Sequence, residues 1–187
     1  MKTLQPITIL GEDYPGGFYL LRIQVSKDVL VRFGQYRQGG LVEISAGEYI
    51  YIGSAQGLRG STTLASRLLR HTTRSEGKHP HLIRGQLAEQ LQSVGLGGVL
   101  PEKKTLHWHV DYLLDLAAVE ISHVIAFRSA SKIEARLAKM IEDQPETVTF
   151  APRLGASDRA GGTHLLGVTG GEDWWLKIID QLRKEVA

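Results

Sequence analysis

Gly17-Phe18-Tyr19-Leu20-Leu21-Arg22-Ile23-Gln24-Val25 and, further on, Glu48-Tyr49-Ile50-Tyr51-Ile52 are the stretches on which the fold turns. The first is rich in Tyr, Phe, Leu, Ile and Val and reads as a strand. The second alternates, with Tyr49 and Tyr51 on one face and Ile50 and Ile52 on the other, the period of a strand. Between them residues 29–33 and 41–44 read as short strands, with turns at Ser26-Lys27-Asp28 and Gly39-Gly40. Connections this short leave no room for crossover helices, so the spacing predicts an antiparallel sheet.

Beyond the sheet, a helix is predicted over residues 62–73. Leu64, Ala65, Leu68 and Leu69 form its apolar face, and Arg67, Arg70, His71 and Arg74 fall at i, i+3, i+4 and i+7 on the other. A second helix is expected over 81–92, then a glycine-rich loop at 95–98 and a short element over 107–114. Residues 119–127 and 163–168 read as strands, and 131–142 and 173–185 as helices. Trp174 and Trp175 have helical core spacing and need no functional explanation. Strands come first and helices follow irregularly, so the expected class is α+β, a small, mainly antiparallel central sheet flanked by helices. With 187 residues, 42% hydrophobic and 22% charged, the chain suits one domain, 1–187, with a real core.

The chain has no cysteine, which excludes a disulfide framework, a thiolate nucleophile and a Cys-ligated zinc or iron–sulfur site. The start, Met1 to Pro6, has no apolar stretch suited to a signal peptide. No run approaches the roughly 20 apolar residues that span a bilayer. The expected setting is cytoplasmic, with no membrane partner. A net charge of +2 is too small to diagnose a polyanion partner, but its distribution is uneven. Arg59, Arg67, Arg70, Arg74, Lys78 and Arg84 are opposed within their stretch only by Glu76, so the rest of the chain is net acidic. Such a stripe reads either as a phosphate-binding footprint or as a solvated helix face.

Six motifs then occur in order: Gly17-Phe18-Tyr19; Tyr51-Ile52-Gly53-Ser54-Ala55; Arg70-His71; Trp108-His109-Val110-Asp111-Tyr112-Leu113-Leu114; Glu134 heading a helix; and Ser157-Asp158 before Thr163-His164-Leu165. Together they resemble the GIY-YIG nuclease superfamily, and more closely a branch of it sometimes fused to DNA-repair glycosylases. The sequence departs from that branch at Arg159, where a Cys is usual, and in a longer stretch over 72–106, which suggests an inserted lid or partner surface.

The resemblance implies a nucleic-acid-binding, metal-dependent endonuclease or phosphodiesterase. Such a reaction calls for a proton acceptor, a cationic clamp and a divalent ion. Tyr19 would be the base or water-positioning group, with Tyr51 beside it. A free phenol is a poor base at neutral pH, so a nearby cation is required, and Arg67 suits that role and phosphate binding. The bland reading makes both tyrosines sheet aromatics. His71 would share a phosphate with Arg67, or else be a solvated helix-end histidine. Glu134 would be the protein's ligand to one magnesium or manganese ion, completed by water and phosphate. Against this, Ser131-Lys132-Ile133-Glu134 matches a capping box.

Arg70, Arg74, Lys78, His109, Asp158 and His164 are the expected nucleic-acid contacts, although Asp158 also reads as a turn residue. DNA is the expected polymer, and a repair protein the expected partner. Two other readings stand beside this one. The first is a non-catalytic nucleic-acid-binding module of the same fold. The second is a zinc hydrolase using His107, His109 and Asp111, whose spacing resembles the start of a binuclear metallohydrolase signature, but position 112 is Tyr. Zinc is therefore not the expected ion.

Overall fold

The computed structural model describes residues 3–97, 104–131, 133–151, 154 and 164–186. In chain order the elements are β1 (Ile7–Gly11), β2 (Gly17–Val25), β3 (Val29–Arg32), β4 (Leu41–Ile44), β5 (Gly47–Ala55), α1 (Leu64–His71), α2 (Arg84–Ser93), α3 (His109–Leu114), β6 (Val119–Arg128), α4 (Glu134–Glu142), β7 (Thr147–Val148), β8 (Leu165–Val168) and α5 (Glu172–Val186). The class is α+β, as the sequence predicts. Six strands form the central sheet in the order β1-β6-β2-β5-β8-β7, and β3 and β4 pair as a separate hairpin.

The sheet is mixed, not uniformly antiparallel. β2 pairs antiparallel with β5 and β6, whereas β1 runs parallel to β6 from Ile7 opposite Val124 to Gly11 opposite Arg128. Strand β2 lies at the centre and is buried on both faces at every position but Gln24, which explains its near-continuous apolar sequence. Its two faces feed two apolar clusters. Tyr19, Leu21 and Ile23 pack with α1 to α3 through Leu68, Leu87 and Leu113. Phe18 and Leu20 pack with α4 and α5 through Leu137, Ile141, Trp175 and Ile178. Arg22, on the second face, is only 8% exposed. It is held by Glu48 and Glu172, each at 2.7 Å, and lies 4.9 Å over the Trp175 ring.

Helix α1 begins at Leu64 because Thr63 caps it, its side chain accepting from the Ser66 amide at 3.3 Å. Downstream, the His81 amide donates to the Thr72 carbonyl at 3.0 Å. Ile83, Leu87, Leu91 and Leu96 then bury in the first cluster, while Leu82 stands exposed. Among the described residues no helix is long and apolar enough to cross a membrane.

Candidate functional site

A cleft of about 240 Å³ opens where the two layers meet at the C-terminal end of β5. β8 pairs with β5 only from Glu48 to Tyr51, and the cleft lies along the residues that follow. Tyr51, Ser54 and Gln56 come from β5 and its extension, Arg67 from α1, Trp108 from the residue before α3, Glu134 from the head of α4, and His164 from the approach to β8. The His164 carbonyl accepts from the Ile52 amide at 2.9 Å, which ties that approach to the sheet.

The Glu134 carboxylate faces into this cleft. Oε2 accepts a hydrogen bond from Ser54 Oγ, and Oε1 lies 3.2 Å from His164 Nδ1. The capping-box reading of Ser131 to Glu134 does not match the geometry: Ile133 is the N-cap and Glu134 the first helical residue, not the third. That reach-back bond is made elsewhere, by Asp111 at the third position of α3, whose Oδ2 accepts from the Trp108 amide at 3.1 Å.

The Arg67 guanidinium carbon lies 4.4 Å from the centroid of the Trp108 ring. A cation held over a ring by this attraction spends no N–H donor on it, which leaves the guanidinium donors for a ligand. Arg67 and Glu134 thus bring opposite charges to one concavity, which Tyr51 and Ser54 also line.

Tyr19 and His71 lie behind the cleft, not in it. Both are fully buried. The Tyr19 hydroxyl is 2.8 Å from His71 Nε2, and His71 Nδ1 is 3.2 Å from Asp111 Oδ1. The Tyr51 ring closes the group, 6.2 Å from the Tyr19 ring and 5.7 Å from that of His71. Burial, reinforced by Tyr51, raises the Tyr19 phenol well above its ordinary pKa, and Arg67 does not reverse this. Tyr19 as a base bathed by the cleft is therefore corrected. Burial likewise pushes His71 below the usual imidazole value despite Asp111, and His71 does not share a cleft phosphate with Arg67. Asp111 resists burial because His71, Lys104 and Arg70 surround it and hold its carboxyl far below the usual range.

The cationic face expected of α1 is also corrected, since α3 and the start of β6 cover it. Arg70 pairs with Asp111 at 3.2 Å. Arg74, 8% exposed, donates to the Leu114 and His79 carbonyls and pairs with Glu120 at 2.7 Å. Lys78 pairs with Asp115. These cations join parts of the fold.

His109 packs its ring 5.8 Å from that of Tyr36, away from the cleft residues. The Asp111 carboxylate, which the zinc reading joins to His107 and His109 as a ligand, is instead bonded by the groups named above and by the His107 amide at 3.2 Å. Among the described residues no group of three or more His, Asp or Glu is placed to hold a metal. Magnesium or manganese fits only as an ion bound by Glu134 with hydroxyl, water and substrate oxygens around it, a hard donor set suited to either. Asp158 and Arg159 lie outside the described residues.

Of the residues singled out in the sequence, the cleft gathers Tyr51, Arg67, Glu134 and His164. Ser54 and Trp108 were overlooked as site residues, although both sit inside the motifs quoted above. Asp111 was noticed for its spacing to two histidines and, through the resemblance, as a group that orients backbone or phosphate near the cleft; its Oδ2 accepts from the His107 and Trp108 amides.

A family model described as Domain of unknown function DUF123 matches residues 18–186. No curated protein and no solved structure matches the chain. The matching family is distinct and does not bear the GIY-YIG name, which corrects the resemblance read from the short motifs.

Proposed function

The chain belongs to the DUF123 family, and we propose that it binds a nucleic-acid strand, DNA in the first instance, at the Arg67–Glu134 cleft and hydrolyses a phosphodiester bond there. The observation that carries this reading is the meeting of a stacked guanidinium and a hydrogen-bonded carboxylate, from different helices, in one polar cleft. Arg67 would bind the phosphoryl oxygens through its in-plane donors. Glu134 would hold a magnesium or manganese ion, which when bound supplies Lewis-acid stabilisation of the charge growing on phosphorus. Ser54 orients Glu134 from one side and His164 from the other. The Tyr51 hydroxyl would position the attacking water. Arg59, exposed on the turn between the cleft-lining residues Gly57 and Thr62, would add cationic character beside the site. A cytoplasmic setting suits the absence of cysteine, and a repair protein would supply targeting.

The test is cleavage of single-stranded, nicked and branched DNA with magnesium or manganese, by the wild type, Arg67→Ala and Glu134→Gln. Metal-dependent cutting lost in both variants supports the reading. Binding that survives Glu134→Gln, with no cutting by the wild type on any substrate, leaves a binding module instead.

A further inference from the structure

We propose that Asp111 is a positioning residue whose carboxylate fixes the His71 tautomer, and thereby makes the Tyr19 hydroxyl a hydrogen-bond acceptor on its cleft side. The functional part of this inference rests on the reading just given. Its structural part does not.

The polarity follows from which groups can donate. Asp111 Oδ1 lies 3.2 Å from His71 Nδ1, and a carboxylate only accepts, so Nδ1 carries the hydrogen. A neutral imidazole protonated at Nδ1 presents Nε2 as an acceptor. The Tyr19 hydroxyl, 2.8 Å away, must then donate to it. A phenol has one O–H hydrogen, and here it is committed inward. Only oxygen lone pairs remain for the side where Tyr51 stands, and Tyr51 lines the cleft. Every donor in the chain Tyr19–His71–Asp111 thus points away from the substrate. Tyr19 is buried behind Tyr51, so a Tyr51 phenol that meets it from the cleft side has to donate, which turns the Tyr51 lone pairs toward the cleft.

The second Asp111 oxygen holds the carboxylate in place. Oδ2 accepts from the amides of His107 at 3.2 Å and Trp108 at 3.1 Å and from Arg70 Nη2 at 3.2 Å. This fixes what Asp111→Asn should do. Three donors aim at the Oδ2 position, so the asparagine oxygen takes that place and its NH2 group faces His71, while Lys104 Nζ, 3.5 Å from Oδ1, keeps the Thr73 carbonyl as its acceptor at 2.7 Å. His71 Nδ1 must then accept, its hydrogen moves to Nε2, and Nε2 donates to the Tyr19 oxygen. The Tyr19 hydrogen turns toward the cleft, and the polarity of the chain is reversed while its shape is kept.

Nitrogen-15 NMR of protein labelled in its histidine rings reads the tautomer directly, with the His71 signals identified by their loss in His71→Gln. The wild type at pH 7 should show a neutral His71 with hydrogen on Nδ1. Asp111→Asn should show hydrogen on Nε2. Tyr19→Phe should keep hydrogen on Nδ1 while the Nε2 resonance moves to that of an unbonded acceptor. If Asp111→Asn does not fold, the wild-type tautomer and the Tyr19→Phe shift decide the matter. A wild-type ring that is charged or carries hydrogen on Nε2 overturns the inference, as does an unchanged tautomer in a folded Asp111→Asn. In the cleavage assay Asp111→Asn should lower kcat about 100-fold with little change in KM. A kcat within about 3-fold of wild type removes the catalytic role even if the tautomer is as stated. An Nδ1–H tautomer in a protein that cuts nothing instead overturns the proposed hydrolysis and leaves the positioning geometry standing.

Discussion

Tyr19 faces Gly53 directly across the β2–β5 ladder, and its phenol fills the space that a side chain on Gly53 would need. A Cβ at Gly53 would sit 2.5 Å from both the ring carbon Cζ and the hydroxyl oxygen. The third residue of Tyr51-Ile52-Gly53 is therefore a matter of close approach, not of turn geometry. Tyr19 is wholly buried and sits on a central strand, so the ring has little room to swing aside. Gly53→Ala should cost about 3 kcal/mol of stability and break the Tyr19–His71 bond. Urea unfolding and the His71 ring resonances check both effects. A variant as stable as wild type, with its tautomer unchanged, would show that the phenol is not pinned there.

Glu134→Gln keeps the shape of the side chain and its bond with Ser54 while removing the charge. Because Glu134 heads α4 but its carboxylate faces the cleft, the fold should lose no more than about 0.5 kcal/mol. Metal-dependent cleavage should fall by at least about 100-fold. Calorimetric titration of magnesium or manganese should likewise lose its signal. A stability loss near 2 kcal/mol with unaltered metal binding would make Glu134 a structural residue instead.

How far the sequence was legible depends on how local each signal is. β2 ends and β4 begins where the turn residues say, because alternation and turn chemistry are properties of neighbours. β1 escaped notice because its partner β6 lies far along the chain, and β7 because two residues carry no pattern. In the site, the resemblance carried by the ordered motifs singled out Arg67, Tyr51, Glu134 and His164; residue type and spacing alone favoured a sheet aromatic for Tyr51 and a capping role for Glu134. The spacing of Arg67, Arg70, His71 and Arg74 put all four on the face away from the sheet, whereas His71 is buried against the Tyr19 hydroxyl on β2 and the Tyr51 ring on β5. It could not say what would cover them, and α3 arrives with Asp111 and Asp115 to do so. Helical periodicity identifies a face and is silent about that face's neighbour.

Arg74 distinguishes the two meanings of a basic residue. A phosphate contact should be dispensable for folding, whereas a buried cation bonded to the Leu114 and His79 carbonyls and paired with Glu120 should not. Arg74→Ala is expected to destabilise the fold by about 3 kcal/mol, since it leaves buried acceptors without donors. In variants kept folded at low temperature, nucleic-acid affinity should change less than 3-fold, and the salt dependence of binding should keep its slope. Arg59→Ala, on the exposed turn, should show the opposite behaviour. Stability unchanged in Arg74→Ala, with a shallower salt slope, would return that residue to the binding surface.

His81 gives the fold a dependence on pH whose sign is fixed by geometry. Its Nε2 lies 3.0 Å from the Leu114 carbonyl and donates to it, while Nδ1 accepts from the Ile121 amide at 3.2 Å. Both ring nitrogens are thus satisfied in the neutral form. Protonation would place a hydrogen on Nδ1 against the Ile121 amide and beside the Arg74 guanidinium, with Glu120 Oε2 at 3.1 Å as its acceptor. Burial first, and Arg74 second, lower the His81 pKa to about 4, with Glu120 only partly opposing them. The unfolded chain takes up this proton near pH 6.5, so between about pH 6.5 and 4 it binds more protons than the folded one. Stability should be fully present above that window and decline as pH falls through it. Buried His71 contributes in the same direction. Urea midpoints measured from pH 7.5 to 4 should fall steadily, and His81→Gln should flatten the slope at the cost of some stability at neutral pH. An unchanged slope in that variant would show that His81 already carries its proton in the fold, shared with Glu120.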